Sequence, residues 1–299
     1  GTAADLNTAY ASSGITGLAN ESITLTDTSL AVSILNNLDG NTSGAINAST
    51  INSLIGTAAD LNTAYASSGI SGLANESITL TDTSLAVSAL NTLDGNTSGP
   101  INASNINTLT GAAADLNTAY TANAAGHITG LGNEAATLSD TSLAVSVLNI
   151  LDGNTSGTIN ANSINTLSGT ASALINAYDS GGISGLGNEA VNVNSGSAST
   201  SQANDLAAAT SGVVTATISD GDMATLAGLT ETGNAYSITI TDNSVAAAAL
   251  NTLDGKTTVA VNASNITTLT GAAADLNTAY TANGNGSISG LGNEAVTLS

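Results

Sequence analysis

Apolar and polar positions along this chain fall into two alternating patterns. Ile78-Thr79-Leu80-Thr81 alternates apolar with polar and is rich in β-branched residues, which predicts a strand with one buried face. Asp82 or Thr83 follows as a candidate N-cap, and Leu85, Ala86, Ala89, Leu90 and Leu93 then recur at helical spacing on one face. Gly95 is placed to end that helix in the left-handed conformation. A second strand, Ile101-Asn102-Ala103, and a second helix of the type AADLNTAY come next. Thr57-x-x-Asp60 before that helix resembles a capping box with Asp in place of Glu, and Gly69 is placed to close it.

The two patterns together form a repeat. GTAADLNTAYASSGITGLANESITLTDTSLAVSILNNLDGNTSGAINASTINSLI fills Gly1 to Ile55 and restarts at Gly56 and, more loosely, at Gly111, Gly169 and Gly271. A fixed period means one supersecondary unit stacked on copies of itself. The irregular stretch Val191 to Tyr236 exposes a smaller module and passes from Tyr236 straight to SITITD, skipping ISGLGNE. The expected fold is therefore an α/β repeat: a solenoid of strand–helix coils of about 22–24 residues, with ISGLGNE as a recurrent insertion. An all-β solenoid is the alternative, favoured by the many Thr, Asn and Gly and opposed by Ala-rich runs such as Val245 to Leu250. Regular double-coil repeats are expected over 1–190, divergent coils over 191–236 and a regular repeat over 237–299, all in one continuous solenoid. Both ends break off in mid-pattern and read as cuts from a longer polymer.

Charge narrows the function. There are 22 acidic residues against a single Lys and no Arg, a formal net charge of −21. Nucleic-acid binding needs cations to displace counterions from phosphates, and anionic membrane surfaces repel such a chain, so neither is an expected partner. Only 8% of residues are charged and 41% are hydrophobic, which sets the chain apart from an acidic disordered tail. There is no Cys, which excludes disulfides and thiol chemistry, and no apolar run long enough for direct membrane insertion.

The best candidate for chemistry is LDGNTSGxIN. Asp94, Asn96 and Ser98 alternate, Gly99 stands sixth and Ile101 eighth, as in the first two-thirds of an EF-hand calcium loop. Asp39, Asn41, Ser43 and Asp152, Asn154, Ser156 repeat the set. The twelfth position, a bidentate Glu in such loops, is here Asn105, Thr50 or Ser163, and the copy at Asp254 carries Lys256 and lacks the sixth Gly. The competing reading is a helix C-cap followed by a Ser/Thr turn. Glu21, Glu76, Glu134, Glu189 and Glu294 in the (A/G)NE segment are candidates to complete a site from a neighbouring coil.

The remaining features favour a scaffold. All six Tyr (Tyr10, Tyr65, Tyr120, Tyr178, Tyr236, Tyr280) share one repeat position, read as a core or seam register with the hydroxyl reaching solvent rather than a sugar-binding ladder. Thr24, Thr26, Thr79, Thr81, Thr239 and Thr241 read as the polar face of half-buried strands rather than an ice- or sugar-binding array. Sequons at Asn20, Asn47 and Asn102 are ordinary in so Asn- and Ser-rich a chain. The only His, His127, lies in a three-residue expansion between Tyr120 and Ile128, and Asp220-Gly221-Asp222 reads as a turn. No base stands near a nucleophile in any repeating pattern, so no enzyme activity is expected.

The strings TLTGAAADLNTAY, ISGLGNEAVTLS and ALNTLDGNTSG resemble tandem repeats of very large secreted or cell-surface proteins of marine bacteria, cyanobacteria among them. The resemblance implies an extracellular or cell-surface, adhesin-like or filament protein, and carries over no catalytic or ligand residue. The expected function is thus an extracellular structural protein that forms a filament, stalk or surface layer with itself as partner. A calcium-dependent adhesin or carbohydrate-binding module is the alternative.

Overall fold

The computed structural model describes Gly1–Ser299 as an α/β protein in which short parallel strands alternate with helices. The helices are α1 (Ala3–Ala11), α2 (Val32–Asn41), α3 (Ala58–Ala66), α4 (Val87–Asn96), α5 (Ala113–Ala125), α6 (Val145–Asn154), α7 (Ala171–Asp179), α8 (Thr200–Ala209), α9 (Met223–Leu226), α10 (Ala247–Asp254) and α11 (Ala273–Asn285). These helices remove the all-β alternative. The chain forms two compact units, Gly1–Asp140 with Ile150–Asn160, and Thr141–Asn149 with Ala161–Ser299.

In the first unit a parallel five-stranded sheet joins Ser29–Ala31, Ser53–Gly56, Ser77–Leu80, Ile101–Asn102 and Ile128–Thr129 in chain order. Leu30, Leu54, Ile78, Ile101 and Ile128 stand in one register, each on the next. Parallel neighbours need a crossover, and α2 to α5 supply it in turn, each packing on the next. A second row of the same kind runs Leu85, Leu109, Ala136, Ile159, and a third runs Ile23, Ile46, Ile70. The register puts like on like, so these rows are mainly buried Leu and Ile, with Ala136 among them and with Leu85 and Ile70 half-buried at the row ends, while Thr24 and Thr26 face out as the alternation predicts.

The second unit repeats this plan. Its five-stranded sheet sets Leu143, Leu167, Val191 and Val214 in register, and the fifth strand, Ala235–Ser237, brings Tyr236 opposite Ala216. Val245, Leu269 and Val296 form a further row. ISGLGNE is more than an insertion: Ile70–Ser71 and Ile128–Thr129 are the last strands of their sheets, and Ile288–Ser289 pairs with Val261–Asn262.

Helix limits correct the sequence reading at four places. Leu85 and Ala86 belong to a strand, Ser84–Ala86, and α4 starts at Val87 with Val87, Leu90 and Leu93 buried. Gly95 lies inside α4 with no positive φ; the helix runs to Asn96 and ends at an extended Thr97. Glycine costs a helix interior about 1 kcal/mol, and here the Asn96 amide bonds Asn62 Oδ1 at 3.1 Å and holds the last turn. α3 likewise ends at Ala66 with Ser67 extended, before Gly69. The expansion before His127 is helix, because α5 runs 13 residues to a left-handed Gly126, and His127 is exposed after it.

Candidate functional site

The capping signal at Thr57 is real: its hydroxyl oxygen accepts the Asp60 amide at 3.1 Å and donates to the Asp60 carboxylate at 2.9 Å. The first amide of the helix, Ala58, is satisfied from the next coil, where Asp82 Oδ2 accepts it at 2.8 Å. Asp82 therefore caps α3, not the helix that follows it; α4 has Ala86 at its N-cap and no side-chain cap. Asp27 does the same for Ala3, Asp140 for Ala113, Asp220 for Thr200 and Asp242 for Met223. Asp222 caps its own α9 through the Thr225 amide, and this amide with the Thr225 hydroxyl holds the Asp222 carboxyl below its ordinary value. The Asp220-Gly221-Asp222 turn is thus two caps for two helices.

Mid-helix Asn residues link successive helices. Asn7 donates to the carbonyl of Ile34, Asn36 to Asp60, Asn62 to Ala89 and Asn91 to Asp115, at 2.9–3.0 Å. Asn149 to Ala173, Asn204 to Gly228 and Asn251 to Asp275 continue the pattern in the second unit.

The most elaborate recurring site joins the Tyr register to the (A/G)NE segment. Tyr10 donates to Glu21 at 3.1 Å and Tyr65 to Glu76 at 2.8 Å; Tyr120 to Glu134, Tyr178 to Glu189 and Tyr280 to Glu294 repeat the bond. The hydroxyl is therefore bound within the repeat; Tyr120 is buried, while Tyr10, Tyr65, Tyr178 and Tyr280 are half-buried. The other contacts of each carboxylate are main-chain amides: Ala74 for Glu76, Gly132 and Asn133 for Glu134, Gly187 and Asn188 for Glu189. Left-handed Gly132 (φ 133°) and Gly187 (φ 131°) turn those amides inward to make an anion nest. Glu76, Glu134 and Glu189 are at most 2% exposed, without a cation beside them in this arrangement. Burial, followed by the bonded carboxylate, pushes the Tyr120 and Tyr178 hydroxyls well above the ordinary tyrosine value. Tyr236 lies in the repeat that lacks (A/G)NE; its hydroxyl donates to the Ala203 carbonyl at 3.2 Å instead.

The Thr-Ser-Gly segment of the next coil, part of DGNTSG in three copies and of AAATSG at Thr210–Gly212, closes over this nest. Ser43, Ser98, Ser156 and Ser211 amides donate at 2.8–2.9 Å to the carbonyls of Ala19, Ala74, Gly132 and Gly187. Their hydroxyls bond the same carbonyls at 3.0–3.3 Å. Thr42, Thr155 and Thr210 hydroxyls donate to the carbonyls of Glu21, Glu134 and Glu189. Gly44, Gly99, Gly157 and Gly212 lie so close to those glutamates that a Cβ would overlap the Glu carbonyl oxygen.

The nine candidate calcium ligands are thereby accounted for by position. Asp39, Asp94 and Asp152 sit in the last turns of α2, α4 and α6, as do Asn41, Asn96 and Asn154. Asp39 accepts from Ser67 at 2.7 Å; Asn41, Asn96 and Asn154 donate to Asn7, Asn62 and Asn117; Ser43, Ser98 and Ser156 bind carbonyls of the (A/G)NE segment. Within a motif, Asn and Ser turn to different partners, and the twelfth-position Asn105 donates to the Leu80 carbonyl at 2.8 Å. No group of three or more His, Cys, Asp or Glu side chains is placed to hold a metal ion. Sequence reasoning missed the Asp caps and Asn rungs, although Asp27, Asp82, Asp140, Asp220 and Asp242 each close the same five-residue pattern, (I/A)T(L/I)(T/S)D.

A cleft of about 250 Å³ between α9 and α10 is lined by Met223, Leu226, Ala227, Ala249, Thr252, Leu253 and Lys256, a set without His or carboxylate. The Lys256 ammonium donates to the Thr230 carbonyl at 2.8 Å. No helix is long and apolar enough to cross a membrane. No family model, curated protein or solved structure matches the chain.

Proposed function

We propose that this chain is an extracellular structural repeat protein, an α/β solenoid that builds a filament, stalk or surface layer by coil stacking and self-association. One observation carries the reading: the recurrent polar side chains join one strand–helix coil to the next. Asp82 caps the helix of the preceding coil, Asn62 bonds the following helix, and Ser98 and Gly99 clasp the Tyr65–Glu76 nest. A catalytic or ligand site would leave convergent polar groups facing a cavity; here they face neighbouring coils. The net charge of −21 with one Lys keeps such a surface hydrated and repels other polyanions. Extracellular placement is supported by the resemblance of TLTGAAADLNTAY and ALNTLDGNTSG to repeats of secreted surface proteins, and self-association by the near-identical faces of successive coils.

Electron microscopy and sedimentation of the native protein, with and without a chelator, test the proposal. Chelator-insensitive filaments or layers are expected, with each coil adding about 4.8 Å on the strand side. Monomeric particles that bind a glycan would overturn it, and calcium-dependent melting would favour the adhesin alternative.

A further inference from the structure

One cleft in the second unit breaks the repeat chemistry. Elsewhere an amide pair bridges successive helices: Asn41 donates to Asn7, Asn96 to Asn62 and Asn154 to Asn117, at 3.0–3.1 Å. Ala58 and Met223 hold matching positions, since the amide of each is taken by the Asp of the next coil, Asp82 or Asp242. Four residues after Ala58 stands Asn62; four after Met223 stands Ala227. Two residues after Asp94 stands Asn96; two after Asp254 stands Lys256. Both halves of the bridge are thus replaced together. Helix α9 also stops after four residues, where α10 has eight. What opens is the cleft of about 250 Å³ between α9 and α10.

The lining is apolar with a single charge. Buried Leu226 and Leu253 share it with Met223, the only Met of the chain, and with Lys256, the only Lys. The Thr252 hydroxyl is turned away onto the Ala248 carbonyl at 2.9 Å. An ammonium can donate more than once. That of Lys256 bonds the Thr230 carbonyl at 2.8 Å, and no carboxylate, in a chain that has 22 of them.

We infer that the α9–α10 cleft is a binding site for a small monocarboxylate with a short hydrocarbon tail, the carboxylate on Lys256 and the tail against Met223, Leu226 and Leu253. Apolar walls with one placed polar group are the ordinary build of a small-ligand site. The cleft is smaller than the roughly 300 Å³ at which drug-sized sites begin, which holds the tail to about six carbons. The net charge of −21 repels polyanions. Screening over roughly 8 Å at physiological salt leaves Lys256 able to hold a single negative charge. A repeat protein that departs from its pattern at one coil, and places its only Lys and only Met there, has given that coil a task the others lack.

The site needs only α9 and α10, so ligand binding and filament assembly succeed or fail separately. The isotopically labelled full chain is titrated with hexanoate and with hexan-1-ol, which has the tail without the charge. Saturable shifts of the Leu226, Ala249, Leu253 and Lys256 amides are expected with hexanoate. Lys256→Gln should weaken hexanoate by about fivefold, equivalent to about 1 kcal/mol, and leave hexan-1-ol unchanged. Ala249→Leu, at an exposed helix position, fills the cleft and should abolish the shifts with both. Absence of saturable shifts at millimolar hexanoate, shifts centred on other residues, or hexanoate binding unchanged by either substitution would overturn the assignment.

Discussion

Asp82 Oδ2 accepts the main-chain amide of Ala58 at 2.8 Å, so the first turn of α3 is closed by a carboxylate 24 residues further along the chain. The helix end carries a partial positive charge and unpaired amides, which a carboxylate both neutralises and satisfies. Asp82→Ala is expected to lower stability by about 1 kcal/mol, the usual scale for a lost cap. The urea midpoint should fall with an unchanged slope. A loss confined to helix α4, read by amide exchange, would mean that Asp82 acts on its own coil after all.

Tyr65 and Glu76 should behave as a coupled pair. Removing the hydroxyl takes one donor from a buried carboxylate, and hydrogen bonds to charged groups contribute about 1.5–3 kcal/mol. Tyr65→Phe is expected to cost that much. A double-mutant cycle with Glu76→Gln should show coupling on the order of 1 kcal/mol. Additive losses would reduce the pair to ordinary packing. Tyr236→Phe, whose partner is the neutral Ala203 carbonyl, should cost less, about 1 kcal/mol.

Strand faces and helix type were legible in the sequence because each depends on local periodicity: Ile78 and Leu80 inward, AADLNTAY helical. The Tyr register was legible as a register, but its partner was not. Glu76 lies 11 residues from Tyr65 across a strand and a turn, and nothing in a one-dimensional pattern reports that closure. The partners of LDGNTSG were hidden for a related reason. Its alternating oxygens resemble a metal loop in one dimension, while in the fold Asn96 bonds Asn62 and Ser98 bonds Ala74, each in the preceding coil. The Gly that suggested a calcium turn is required by the Glu main chain it crosses. Gly95 failed as a helix stop because the Asn96–Asn62 bond carries the helix through it.

The Asn rungs predict a graded effect. Asn91 donates at 3.0 Å to the Asp115 carbonyl, joining α4 to α5. That carbonyl keeps its place in α5, and alanine is the better helix former by up to about 0.7 kcal/mol. Asn91→Ala should therefore cost little overall, within about 1 kcal/mol. It should nevertheless raise amide exchange at the α4–α5 junction. Unchanged exchange there would show that the rungs are incidental to packing.

Acid should weaken the Glu21 and Glu294 nests and the Asp222 cap. Glu21 is held below its ordinary value of 4.5 by its own amide first, against burial, with help from Ala19, Tyr10 and Asn20. At Glu294 burial acts upward and is outweighed by Tyr280 and the amides of Gly292, Glu294 and Asn293. Asp222 is lowered from 3.8 by Thr225. Carboxyls lowered in the folded state stabilise it fully above their unfolded values and lose that contribution as pH falls through the folded ones. Thermal midpoints should be level above about pH 5 and fall below pH 4. Glu21→Gln should flatten part of the decline; a profile unmoved by that change and by Asp222→Asn would remove these groups as its cause.

At the alkaline end the tyrosines predict a sharper transition. Burial, then the charge of Glu231, pushes Tyr236 up from 10.0 to about 12. The bond to Glu294, then burial, takes Tyr280 to about 12 as well. Burial drives Tyr65, Tyr120 and Tyr178 higher still. A group whose folded value is raised stabilises the fold fully below its unfolded value, here 10.0, and loses that contribution as pH rises through the folded value. The protein should accordingly be level in stability up to pH 10 and unfold steeply between there and pH 12. Tyrosinate absorbance and helical circular dichroism should change together, because ionising one buried hydroxyl beside a carboxylate opens the repeat that holds it. Absorbance rising gradually around pH 10 while the helical signal persists would show that the hydroxyls titrate freely, and would break the link drawn here between the Tyr register and the joining of repeats.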